Sequence, residues 1–131
     1  MGRVTRLNTL NTLKINIRRQ NRREYGYVYF YRDRHSLPRY VKIGRSKQPL
    51  RRLKAQRTAL PKGLKVIGVI RVKNEVRAER LIHNHFQHLR VSPDNEWFSL
   101  TPGLLWYILR IRNKKLTDRL NHELLYRGRN T

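Results

Sequence analysis

Four side chains of this 131-residue chain have types and spacing that can do chemistry together: Tyr29, Lys42, Arg52 and Glu79. They fall in blocks that run in one order, GYVYF at 26–30, YVKIG at 40–44, PLRRL at 49–53 and AERLIH at 78–83, followed by EWF at 96–98. A phenol, an amine, a guanidinium and a carboxylate can orient a nucleophile, move a proton, steady an anion and hold a metal ion. Phosphoryl transfer needs that set. It also needs a scaffold that brings residues far apart in sequence to one place.

Composition names the kind of partner. There are 31 Lys and Arg against 8 Asp and Glu, a formal charge of +23, so the surface attracts polyanions with steep salt dependence. Nucleic acid, DNA or RNA, is the expected partner. The basic residues are spread along the chain and no long uncharged apolar stretch is present, so a membrane is not expected as the partner. The absence of cysteine excludes disulfide frameworks and cysteine-based zinc sites. Residues 1–23 carry seven positive charges and no negative one; Arg18, Arg19, Arg22 and Arg23 are expected to lie along a phosphate backbone. The same composition resembles an organellar transit peptide.

The length fits one domain with one modest core. GYVYFYR and RYVKIG (39–44) read as a β-hairpin across the polar cluster from Asp33 to Pro38. Pro49 opens a helix with Leu50, Leu53 and Leu60 as a partial apolar stripe, ending at Pro61-Lys62-Gly63. LKVIGVIRV (64–72) alternates as a third strand, with Val66, Gly68, Ile70 and Val72 on one face. Asn74 caps a helix on which Glu79, Ile82, His83 and Phe86 share a face. EWFSL (96–100) makes a short strand, and Thr101-Pro102 starts a long amphipathic helical region that breaks near Asn113. The expected fold is α/β (α+β): a small, mostly antiparallel three-stranded sheet flanked by helices. It has a basic arm over 1–24, a domain over 25–100 and a C-terminal amphipathic helical extension over 101–131.

These blocks resemble the GIY-YIG nuclease superfamily, in its compact branch where the second signature reads KIG and the region closes with EWF. The likeness covers about residues 26–100. Tyr29 takes the place of the first-signature tyrosine, and Lys42-Ile43-Gly44 that of the second signature. Arg52, ten residues after Lys42, stands at the catalytic-arginine spacing, and Glu79 where the metal-binding glutamate falls. Lys42 replaces a signature tyrosine, which moves the general-base role to Tyr29 or to a Lys42 of lowered pKa. The family's late asparagine has no clear counterpart; Asn95 and Glu96 lie nearby.

The resemblance implies a metal-dependent endonuclease acting mainly on DNA. Glu79 would hold a single Mg²⁺ or Mn²⁺ ion, and Arg52 would bind a non-bridging phosphate oxygen. Tyr29 would deprotonate or orient the attacking water. His83 would serve as proton shuttle or phosphate donor, or else as a core histidine bonded to backbone. Arg45, Lys47, Arg51 and Arg57, with the arm, would position the strand without reading bases. The letters HNH at 83–85 are consecutive, unlike the dispersed signature of the nucleases so named. The other reading is a non-catalytic nucleic-acid-binding subunit of a large ribonucleoprotein such as an organellar ribosome, in which Glu79 pairs with Arg45 or Arg52.

Overall fold

A computed structural model describes residues 25–34, 39–60, 63–93 and 95–129, with backbone alone for 126–129. The β-branched and aromatic runs become strands β1 (Gly26–Asp33), β2 (Tyr40–Ser46), β3 (Leu64–Val72) and β4 (Trp97–Ser99). Between and after them lie helices α1 (Pro49–Arg57), α2 (Glu75–His85), α3 (Pro102–Ile111) and α4 (Lys114–Arg129). The strands form one antiparallel sheet in the order β3-β1-β2-β4. The EWF segment thus joins the expected three strands as a fourth, pairing Trp97 with Lys42 and Phe98 with Val41.

Alternation along β1 divides the interior into two layers. Val28 and Phe30 join Val41, Ile43, Ile82, Phe98, Leu104 and Ile108 beneath α2 and α3. Tyr29 and Tyr31 face the other way and pack with Leu53, Val66, Val69, Leu120 and Leu124 beneath α1 and α4. The two helices after residue 100 contribute to the core, since Leu104, Tyr107, Ile108, Leu120 and Leu124 are all buried. Residues 1–24, which include Arg18, Arg19, Arg22 and Arg23, lie outside the described residues.

Local signals act as read. Asn74 accepts from the Arg77 N–H at 3.0 Å and Thr101 from the Leu104 N–H at 3.2 Å, each satisfying a helix-start donor. Asn113 marks the break between α3 and α4, and its side chain accepts from the Leu116 N–H at 3.0 Å. Helix α1 stops at Arg57, before the Pro61-Lys62-Gly63 boundary. One expectation for β3 fails. Phe30 pairs with Gly68 but Tyr31 with Val66, so Ile67 is the extra residue of a bulge. That bulge reverses the alternation, and Val66 enters the layer of Tyr29 while Ile67, Ile70 and Val72 enter the other.

β3 is an edge strand whose outer groups would otherwise be unpaired. Helix α4 and the two residues before it satisfy them. Asn121 accepts from the Val66 N–H and donates to the Val66 carbonyl, both at 2.8 Å. Thr117 accepts from the Val69 N–H at 3.1 Å, and the Asn113 N–H donates to the Val69 carbonyl at 2.8 Å. Arg112 donates to the Ile67 carbonyl at 3.1 Å. Gly68 lets the preceding helix approach, since a Cβ there would stand 2.7 Å from Ile108 Cγ2. Asn121→Ala leaves two part-buried backbone groups of Val66 without partners and should cost about 1–3 kcal/mol in urea unfolding. Lys115→Ala, an exposed position on the same helix, should leave the midpoint unchanged.

Candidate functional site

The site is built on the contact between Tyr29 and Gly44, which face each other across β1 and β2. A Cβ on Gly44 would lie 2.6 Å from Tyr29 Cε1, Cζ and Oη, so only glycine leaves room for the ring to lie against β2. Tyr31 stacks beside Tyr29 at 5.8 Å between ring centroids, and Trp97 closes on Tyr31 edge-on at 5.7 Å. Tyr29 is buried. Burial raises its phenol pKa, while a hydrogen bond with Arg52 and the Arg52 charge pull it down and Glu96 and Glu79 push it up. A phenol raised overall is protonated at neutral pH. Tyr29 is thus suited to donate a hydrogen bond and orient a water, not to deprotonate it.

The geometry of β2 explains how residues from both faces of the sheet meet. β4 is short: its pairing ends at Lys42–Trp97, and the Ile43 N–H bonds the Glu96 carbonyl at 3.1 Å. Among the described strands none pairs with Gly44–Ser46 on that side. Helix α2 closes the gap there. His83 Nε2 donates to the Ile43 carbonyl at 2.8 Å, and its Nδ1 accepts from Arg90 Nη2 at 3.0 Å. Both ring nitrogens are engaged, and burial, ahead of the other influences, lowers the imidazole pKa. His83 is therefore a neutral positioning residue that holds α2 to the strand, and the proton-shuttle role does not fit this geometry.

His83 sets α2 so that Glu79, one turn earlier, reaches the same edge. Glu79 lies 3.5 Å from Arg45 Nε, and its side chain is 13 % exposed. Its pKa is pushed up to about 7, first by burial and then by the Glu96 charge, against the pull of Arg45 and Arg90. Two carboxylates thus share an environment in a chain with eight acids. Glu96, at the head of EWF, also acts on Tyr29 and His83. It is the site residue to which the sequence reading assigned no role; its closeness to Trp97-Phe98 was the available signal. Arg90 was missed entirely, because nothing in its neighbourhood in sequence distinguishes it from the other arginines.

Other expected residues fall elsewhere. Lys42 Nζ donates to Gln56 Oε1 at 2.7 Å, the oxygen that also accepts from Tyr31 Oη at 2.5 Å. Lys42 thereby ties β2 to α1 beside the tyrosine pair. Arg57 donates to the Leu124 carbonyl at 2.6 Å and joins α1 to α4. Lys47 pairs with buried Glu75 at 3.4 Å. Arg51 and Arg52 are exposed on α1.

The chain is a member of the T5orf172 domain family, whose profile matches residues 26–114, from the start of β1 to the first residue of α4. That family is associated with nucleic-acid-related function. No curated protein and no solved structure matches the chain. Among the described residues no helix is long and apolar enough to cross a membrane.

Three measurements check the site. In a carboxyl-detected NMR titration Glu79 should show a midpoint near 7, falling in Glu96→Gln and rising in Arg45→Gln. The folded state binds this proton more tightly than the unfolded chain, so the Glu79 share of stability is present at acid pH. It is lost as pH rises from about 4.5 to about 7, and Glu79→Gln should flatten that dependence. Gly44→Ala forces the Tyr29 ring off β2 and should lower stability by about 1–3 kcal/mol in thermal unfolding.

Proposed function

We propose that the domain is a metal-dependent endonuclease that hydrolyses phosphodiester bonds, with DNA as its main substrate. The observation that carries this reading is half-buried Glu79 at the β2 edge, facing Arg45 and made costly to ionise by burial and the Glu96 charge, beside a Tyr29 phenol hydrogen-bonded with Arg52, in a +23 chain. Burial and like charge make an ionised Glu79 costly there, and a divalent cation would relieve both. Among the described residues no three His, Cys, Asp or Glu side chains gather into a metal cage. That suits a Mg²⁺ or Mn²⁺ ion held by one or two carboxylates and completed by waters and the substrate phosphate. When bound, the ion supplies Lewis-acid polarisation of the phosphoryl group.

The chain's own groups divide the remaining work. Arg52, exposed beside the Tyr29 phenol, binds a non-bridging oxygen and stabilises charge as the water oxygen bonds to phosphorus and the ester P–O bond breaks. The Tyr29 hydroxyl orients that water. With Glu79 engaged by the ion, the proton of that water passes to solvent. Arg45 and Lys47 already face acids, so Arg51 and the arm carry more of the backbone contact than composition alone implied.

A second reading has one observation in its favour, the Arg45–Glu79 ion pair. In it Glu79 stays paired and the domain binds nucleic acid without cutting, as a ribonucleoprotein subunit would. Cleavage assays with Mg²⁺, Mn²⁺ or EDTA on single- and double-stranded DNA and RNA separate the two. Glu79→Ala should abolish metal-dependent cleavage while affinity stays within about threefold, because losing one acid cannot weaken attraction to phosphate. Arg52→Ala should reduce cleavage by roughly 100-fold or more at modest cost in affinity. Tight binding by the wild-type chain with no cutting of any substrate would leave the binding subunit as the correct account.

A further inference from the structure

Between α1 and α4 lies a groove of about 510 Å³, a size that suits a small planar ligand. Tyr27, Leu50, Leu116 and Leu120 supply apolar wall, and Arg51, Lys54 and Arg119 stand among the lining as cations. Tyr27 is half-buried, with the Arg71 guanidinium over its ring at 5.9 Å from the centroid, so the ring is held as a wall. Glu123 adds an acceptor.

Its position links it to the edge site. Tyr27 and Tyr29 lie on the same face of β1, two residues and about 6.6 Å apart. Arg51 of the groove directly precedes Arg52. A strand whose phosphate rests on Arg52 can therefore pass Arg51 and enter the groove without crossing the sheet. An apolar, aromatic-walled slot rimmed by cations is complementary to a base with its phosphates. A base inside a duplex cannot present its face to such a wall; an unpaired one can. Charge argues against the N-terminal arm as occupant, because residues 1–23 carry seven positive charges and no acid.

We propose that this groove receives an unpaired base of single-stranded nucleic acid next to the edge site, so that the domain favours substrates with a single-stranded segment there. The inference rests on the nucleic-acid reading above but not on cleavage. The test uses the full chain in EDTA and fluorescence anisotropy with four probes: a labelled dT12 oligonucleotide, the same length of abasic strand, a 12-base-pair duplex and a 12-residue glutamate peptide. The wild type should bind dT12 at least about fivefold more tightly than the abasic strand, as stacking of one or more bases implies. Tyr27→Ser and, independently, Leu116→Gln should bring that ratio close to one while abasic-strand binding and its salt dependence stay as in the wild type.

Equal binding of dT12 and abasic strand by the wild type would overturn the groove assignment and leave the nucleic-acid reading standing. A dT12 preference that survives both substitutions would place the base elsewhere and also overturn it. Displacement of dT12 by the glutamate peptide at equal concentration would give the groove to an acidic protein partner instead. Failure to bind any of the nucleic acids would remove the nucleic-acid reading and this inference with it.

Discussion

The close approach of the Tyr29 ring to Gly44 is the constraint on which the site depends. An aromatic ring on a central strand normally stands away from the sheet and fills the layer above it. Here it lies against the neighbouring strand where that strand has no Cβ. The phenol is thereby turned toward the edge of β2, into the fields of Arg52, Glu96 and Glu79. Because β4 stops at Trp97, no described strand pairs with β2 beyond Ile43 on that side, and α2 docks there instead through the His83 bond to the Ile43 carbonyl.

The last helix does two things with one docking. Its Thr117 and Asn121 replace the missing strand neighbour of β3, which keeps an exposed edge from pairing with another chain. Its Leu120 and Leu124 complete the layer around Tyr29 and Tyr31. The same helix meets α1 through the Arg57 bond to the Leu124 carbonyl, and the space left between the two helices is the basic groove. Core packing and the shape of a candidate binding surface thus follow from one set of contacts.

Electrostatics in this chain is less uniform than a net charge of +23 implies. Arg45, Lys47 and Lys114 face acids, and Lys42, Arg57 and Arg112 donate to acceptors within the fold. Against that background Glu79 stands out, because burial and the Glu96 charge make its ionisation costly, and that cost is what a bound cation would offset.

By itself the sequence determined the elements and most of their limits. Strand composition, the caps Asn74 and Thr101, Pro49 and the break at Asn113 act through neighbours a few residues away, so they are legible in a linear reading. The roles proposed for Tyr29, Arg52 and Glu79 were accessible because their ordered blocks resemble a known signature. Tertiary structure alone decided that the bulge at Ile67 sends Val66 to the other layer, and that both nitrogens of His83 are engaged by Ile43 and Arg90. It alone made Arg57 a helix tie, brought the Glu96 charge to bear on Glu79, and buried Leu104, Ile108, Leu120 and Leu124 in the core. Each of these depends on which groups lie within a few ångströms after long-range pairing, and a charge or hydrogen bond acts over that distance regardless of separation along the chain.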